Sequence, residues 1–306
     1  MTRERTFVKG HGTGNDFLLY ADPDGEAPIT DADVVALADR HTGIGADGVI
    51  RAVRTAAVPE VADQVGAAEW FMDYRNADGS IATMCGNGLR VYVAYLERYG
   101  YLALDDGATT TIATRSGTLT VRKELDEYTV DMGIWAAPGG ESALAEGFDA
   151  TVVLAGLDEP RPGLRIDVPN PHTVIALTDL DVLAAVDLSV PPRVEPEPED
   201  GTNVELVVPL GERAVEVVDE DGEVVGTDRV GVVQMRVHER GVGETLSCGT
   251  GACAAAVATR LWFGDDAPND WVVLVPGGQL RVVMLDGGGI ELSGPVQLVG
   301  EVTLLS

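Results

Sequence analysis

The chain has 306 residues, and its 50 acidic against 21 basic side chains give a formal charge of −29. That length allows two domains, and a 45% hydrophobic fraction is enough for a sizeable core. Lys9 and Lys123 are the only lysines, so the surface repels phosphate, which argues against nucleic acid and anionic membrane as partners. The acidic balance reads as a matter of solubility, with a cationic partner as the lesser alternative.

The start, MTRERTFVKGHG, lacks the apolar stretch of a secretory signal. No run approaches the roughly 20 apolar residues of a membrane span. Three cysteines make no disulfide framework and fit a cytoplasmic protein with a thiol function. Gly10–Tyr20, GHGTGNDFLLY, is a polar turn opening a strand. Asp31–His41 is a surface helix begun by an Asp cap, and Gly43–Ile50, GIGADGVI, is a second polar turn opening a strand. Thr55–Ala67 is weakly patterned and reads as a loop. Met84–Arg90, MCGNGLR, leads into a helix with Leu89, Tyr92, Val93 and Leu96 at helical spacing, stopping at Gly100. Thr109–Met132 alternates polar and apolar residues about a turn at Ser116-Gly117. MGIWAAPGG then interrupts the strand pattern and places a boundary near Asp131–Gly140.

The second half repeats the order. Pro169–Leu177, PNPHTVIAL, and Glu199–Val208, EDGTNVELVV, are again polar turns opening strands. Between them Ser189–Gly201, rich in proline and acid, is expected to be extended and exposed. Arg213–Gly226 carries a hairpin signal at Asp221-Gly222. Ser247–Cys253, SCGTGAC, opens a helix that is small or apolar almost all round, which predicts burial inside a curved sheet. Asp270–Leu305 reads as strands separated by glycine turns. Asn15 precedes Cys85 by 70 residues and Asn170 precedes Cys248 by 78; the recurrence in order reads as a diverged duplication.

The two cysteine turns carry the chemistry. A thiol at a helix N-terminus meets unpaired N–H groups and the positive end of the helix dipole. Cys85 and Cys248 are therefore expected to ionise below the free thiol value of about 8.5. One sulfur could take a proton from an α-carbon while the other gives one. The developing charge on the substrate carboxylate would be met by the N–H groups of Gly86, Asn87, Gly249 and Thr250. His172 and Glu239 are candidate proton partners, and Arg240 is a planar fork suited to a carboxylate. Asn15, Asn76, Asn170 and Asn203, placed in parallel in the repeat, could cage a zwitterion. Cys253, five residues further into the second helix, reads as packing. No Walker loop or dinucleotide fingerprint is present, and Cys85, Cys248 and His172 lack the short spacings of a zinc site; neither a metal nor a cofactor is expected.

Together these residues resemble the diaminopimelate epimerase family. NADGSIATMCGNGLR (Asn76–Arg90) and ERGVGETLSCGTGACA (Glu239–Ala254) look like the blocks around its two catalytic cysteines, and KGHGTGNDF, GIGADG, NPH and TNVE follow in family order. The resemblance implies an α+β fold of two pseudo-symmetric domains, each a curved, mostly antiparallel sheet wrapped around a central helix. It places residues 1–131 with about 293–306 in the half carrying Cys85 and 132–292 in the half carrying Cys248. It also implies cofactor-independent interconversion of LL- and meso-diaminopimelate, for lysine and peptidoglycan precursors. Cys85 and Cys248 would be the acid/base pair, assisted by His172 and Glu239. Asn15, Asn76, Asn170, Asn203, Glu239 and Arg240 would bind substrate, Arg240 at its distal carboxylate, and a homodimer is a further family trait. Two departures stand out: Gly48 where many relatives carry glutamine that touches substrate, and Pro169 where glycine often precedes Asn-Pro-His. Rival readings are a proline racemase-like isomerase, a thiol redox protein working through Cys85 and Cys248, and a binding module for zwitterions. In the epimerase reading a Cys85–Cys248 disulfide would be an inactive form.

Overall fold

The computed structural model describes residues 5–218 and 223–304. The chain falls into two compact units, Met1–Asp131 with Ser293–Ser306, and Met132–Leu292. In chain order the first runs β1 (Thr6–Gly12), β2 (Asn15–Ala21), α1 (Asp31–Ala38), β3 (Gly48–Arg54), β4 (Trp70–Asn76), α2 (Gly86–Arg98), β5 (Thr109–Thr114), β6 (Gly117–Glu124) and β7 (Glu127–Ile134). The second runs α3 (Gly140–Glu146), β8 (Ala150–Val153), β9 (Arg161–Val168), β10 (Asn170–Ala176), α4 (Leu180–Ala185), β11 (Arg193–Glu195), β12 (Asn203–Val218), β13 (Val224–Glu239), β14 (Gly243–Thr245), α5 (Gly249–Phe263), β15 (Asp270–Val275), β16 (Gly278–Met284) and β17 (Gly289–Gly294). β18 (Gln297–Thr303) returns to the first unit and pairs antiparallel with β1. Among the described residues no helix is long and apolar enough to cross a membrane.

The two units are built alike. In the first, β1–β2 is antiparallel, β2–β3 parallel, β3–β4 antiparallel, β4–β5 parallel and β5–β6 antiparallel. In the second, β9–β10, β10–β12, β12–β13, β13–β15 and β15–β16 repeat that alternation step for step. The helix that follows the fourth strand of each series, α2 or α5, is the central one. This is an α+β fold of two pseudo-symmetric domains, each a curved, mostly antiparallel sheet around a helix.

Both central helices are held by burial. Every residue of α2 from Gly86 to Val93 is buried, as are Tyr95 and Leu96, and Tyr92 Oη donates to the Phe71 carbonyl at 2.9 Å. The helix ends where Gly100 takes a left-handed φ of 72°. α5 is buried from Gly251 to Thr259, where a run of alanines lets the sheet close in on all sides. Strand alternation serves both faces of that sheet. Val204, Leu206 and Val208 of β12 join Ile175, Leu183 and Val194 in a cluster on the side away from α5. Asn203 and Glu205 take the other side.

Three local expectations change. The surface helix starts one residue earlier than an Asp31 cap requires. Thr30 is the cap, in a reciprocal capping box with Asp33, and the helix stops at Ala38 because Asp39 turns extended. Thr55–Ala67 is not a plain loop: two 3₁₀ turns, Thr55–Ala57 and Pro59–Gln64, bury Val58 and Val61 against Val53, Phe71 and Ala113. Ser189–Gly201 is not simply extended and exposed either, since β11 pairs with β8 and buries Val194. The hairpin signal at Asp221-Gly222 lies outside the described residues, while its flanks pair antiparallel from Val204↔His238 to Val218↔Val224.

One ionic network ties the β1–β2 turn to the segment before β3. Lys9 donates to Asp16 and to the Gly45 carbonyl. Arg40 forks onto Asp16 at 2.7 and 3.1 Å and reaches Asp47 at 2.7 Å. Burial alone would raise the Asp16 carboxyl, but hydrogen bonds from Arg40 and Lys9 overcome it and hold it at about 2. A carboxyl depressed below its unfolded value of about 3.9 stabilises the fold above that value and loses the contribution as pH falls through 2. Arg40 is half exposed, so solvent screening reduces the effect. Asp16→Asn is expected to cost about 1–2 kcal/mol at pH 7. The difference from the unsubstituted protein should shrink as pH falls from 5 towards 2 in urea titrations; a difference independent of pH would assign it to packing instead.

Candidate active site

Each cysteine is the N-cap of its unit's central helix. Cys85 and Cys248 both have extended backbones, and each sulfur accepts a hydrogen bond from the N–H three residues on, Gly88 at 3.3 Å and Gly251 at 3.4 Å. Gly86, Asn87, Gly249 and Thr250 form the first turns, where N–H groups have no partner within the helix. None of the three cysteines is in a disulfide, and Cys253 is buried inside α5.

In the first unit the structure brings Asn15, Cys85 and Asn87 together. Asn15 Oδ1 lies 3.6 Å from Cys85 Sγ and 3.4 Å from Asn87 Nδ2. Asn15 is held from behind, its Nδ2 donating to Asp47 at 2.7 Å. Asn87 Oδ1 accepts from the fully buried Arg90 at 3.0 Å. The Lys9–Asp16–Arg40–Asp47 network therefore ends on the amide beside the thiol. Asn76 sits two strands from Asn15, at the end of β4 opposite Gly48, with its Nδ2 on Ser80 Oγ at 3.0 Å. The missing side chain at Gly48 has a local cause: a Cβ there would stand 2.4 Å from the Arg75 carbonyl and 2.5 Å from the Tyr74 ring.

In the second unit His172 and Glu205 are both without exposed surface, and His172 Nδ1 lies 2.7 Å from Glu205 Oε1. His172 Nε2 lies 3.1 Å from Asn170 Oδ1. Glu239 accepts from the Thr245 hydroxyl. Burial pushes the Glu239 carboxyl up, against the Thr245 hydroxyl and the Cys248 thiol, which pull it down. Asn203 supports the backbone, its Oδ1 accepting from Arg240 N–H at 2.9 Å, and the Arg240 guanidinium donates to the Asp200 carbonyl. Arg240 also lines a cavity of about 630 Å³ under the Ser189–Gly201 segment, together with His238, Pro191 and Val204. Cys248, Glu239, His172 and Asn203 do not line it.

The expectation of a low thiol value fails at Cys248. Burial pushes it well above the usual range, the carboxylates of Glu239 and Glu205 push it the same way, and Thr250 and the Gly251 N–H oppose them without prevailing. The helix N-terminus is there, but desolvation and two like charges outweigh it.

Glu205 receives no role from motif reading, nor do Asp47, Arg90 and Thr245, although each lies within one of the motifs quoted above. Its signal was present in NVELVV: a carboxylate at an alternate position of an otherwise apolar strand. Its Oε1 would lie 2.6 Å from a Cβ on Gly251, with Cys248 Sγ at 3.2 Å. At the matching Gly88 a Cβ meets only Ile50, Cys85 and Phe17 at 3.3–3.4 Å. Gly251→Ala is therefore expected to cost about 1–3 kcal/mol by overpacking. Gly88→Ala should fall within about 1 kcal/mol of neutral, since tight contact and gained helix propensity offset each other. Thermal melts of both variants check the order, and equal losses would refute it.

The diaminopimelate epimerase family model matches residues 7–136 and 165–299. The diaminopimelate epimerase of Thermobifida fusca is 44% identical over 303 residues, covering 96% of each chain. That of Streptomyces coelicolor is 41% identical over 309 residues, covering 98% of this chain and 96% of its own. Among solved structures, a PhzF-family phenazine biosynthesis protein of Bacillus anthracis aligns over 100% of both chains with a TM-score of 0.64 at 15% identity. A hydroxyproline epimerase of Agrobacterium vitis aligns over 99% of this chain and 93% of its own with a TM-score of 0.58 at 14% identity. These two share the fold. The near-full-length match to the curated relatives decides the family: this chain belongs to the diaminopimelate epimerases, enzymes of the amino-acid epimerase class.

Proposed function

We propose that this enzyme interconverts LL- and meso-diaminopimelate without a cofactor, with Cys85 and Cys248 acting from opposite faces of one α-carbon. The observation that carries this reading is the matched placement of each sulfur as the cap of a buried helix N-terminus. One thiolate removes the α-proton, and the electron pair is delocalised onto the substrate carboxylate. The opposite thiol then delivers its proton to the other face, which inverts the centre and leaves the two sulfurs with exchanged protonation. N–H groups of Gly86, Asn87, Gly249 and Thr250 stabilise the carboxylate as charge develops on it. Asn15, Asn76, Asn170 and Asn203 orient the rest of the zwitterion, and Glu239 takes the reacting ammonium. His172 helps place the Asn170 side-chain amide, which lies 3.1 Å from its Nε2. Arg240 binds the distal carboxylate, which separates this substrate from that of a proline racemase-like enzyme. The reaction would supply lysine and peptidoglycan precursors in the cytoplasm, where free thiols persist.

The deciding experiment incubates reduced protein with LL-diaminopimelate in D₂O, with chelator present. Deuterium at the α-carbon together with meso product supports the reading, and no exchange from folded protein overturns it. Cys85→Ala and Cys248→Ala should each lower epimerisation by about 10²–10⁴-fold, the usual range for a positioned acid or base. Retained turnover in either would favour a one-base route. Arg240→Met should raise KM by about 10–100-fold, as expected for losing a charged hydrogen bond; a change confined to kcat would place Arg240 elsewhere.

A further inference from the structure

The two units can be compared position by position. In the first, the parallel register sets Phe17 beside Gly48; in the second it sets His172 beside Asn203. Two residues along the second strand of each pair stand Ile50 and Glu205. These four side chains occupy equivalent places, and all four are fully buried. Under the first turn of α2, a Cβ on Gly88 would meet Ile50 and Phe17. Under the first turn of α5, a Cβ on Gly251 would meet Glu205 Oε1. The frame is shared, but its floor is apolar beneath Cys85 and ionisable beneath Cys248.

We propose that Glu205 is a positioning residue that makes the two matched thiols unequal: paired with His172, it sets a carboxylate against the first turn of α5 and keeps the proton on Cys248. The inference rests on the epimerase reading for its purpose. Its physics is local to the second unit. A helix N-terminus favours a thiolate at its cap, and a carboxylate buried against the same turn opposes that field. His172 Nδ1 lies 2.7 Å from Glu205 Oε1; as a neutral imidazole facing a carboxylate it donates Nδ1–H, which anchors the carboxylate without cancelling its charge and fixes the ring. The other ionisable groups facing this cluster are Glu239 of β13, beside Cys248, and Asp167 of β9, which feels His172 and the charge of Arg165, the latter paired with Asp149. The first unit has no carboxylate among the nearest contacts of Gly88. A pair that must hold one proton between two sulfurs thus has a built-in resting place for it on Cys248.

The test is the pH dependence of iodoacetamide alkylation, resolved at Cys85 and Cys248 by peptide mass spectrometry, without substrate. In the unsubstituted protein Cys248 should become reactive at higher pH than Cys85; coincident profiles overturn the proposal. In Glu205→Gln, which keeps volume and a hydrogen-bonding group, the Cys248 profile should move down by about 1–2 pH units, while that of Cys85 stays. Glu205→Asp should retain the unsubstituted order. Should Glu205→Gln fail to fold, the double variant Glu205→Ile with His172→Phe copies the first unit's pair and should bring the Cys248 profile towards that of Cys85. A Cys248 profile unmoved in a folded variant, or both profiles moving together, refutes the role of Glu205. Failure of the epimerase reading would appear instead as absent α-proton exchange in the unsubstituted protein, with the alkylation profiles unaffected.

Discussion

A helix whose N-terminus is buried must find partners for N–H groups that its own turns cannot satisfy. This constraint organises each half of the molecule. The first turns of α2 and α5 are enclosed by sheet, and in each the cap is a sulfur rather than a hydroxyl. A sulfur is a weaker hydrogen-bond acceptor than a hydroxyl, so this cap holds its helix less firmly than a serine or threonine would. Burying the helices also forces the composition around them. Small residues fill α5, and glycine stands where strand side chains press against the first turn.

Because the cap is common to both halves, differences between the thiols come from what lies beneath it. In the first unit a chain of polar contacts leads from Lys9 and Arg40 through Asp16 and Asp47 to Asn15 and the Cys85 sulfur. It uses one of only two lysines in a chain of charge −29. There Lys9 and Arg40 hold the Asn15 amide in place through Asp16 and Asp47. In the second unit the support is anionic and buried. Glu205 and Glu239 crowd Cys248, and His172 is the partner that makes the burial of Glu205 tolerable. An acid isolated in such a place would be costly; the imidazole bond at 2.7 Å offsets that cost.

The sheet topology makes this differentiation possible. The same alternation of parallel and antiparallel steps recurs in both units, so side-chain identity can diverge at one inward position while the cap geometry stays. Phe17 and Ile50 on one side, and His172 and Glu205 on the other, are such divergences on a shared frame.

Much of this was legible in the order of residues. Gly-rich turns before apolar helical runs announce caps and helix starts, because turn chemistry and periodicity are local properties. The recurrence of Asn, polar turn and Cys-Gly-x-Gly announced two related halves for the same reason, and it carried the family. The sequence by itself also singled out the four asparagines as candidates, by their parallel places in the repeat rather than by residue type, since asparagine is common in turns for backbone reasons alone, and Arg240 by its planar fork. Only tertiary structure decided the cap of α1, the burial of Val58 and Val61, and the pairing of β11, each settled by contacts far apart in sequence. It alone decided the state of Cys248. The helix dipole can be read from a motif, but desolvation and the approach of Glu205 and Glu239 from β12 and β13 depend on through-space distance. Electrostatic energy follows that distance and the local dielectric, neither of which is written in the spacing of residues along the chain.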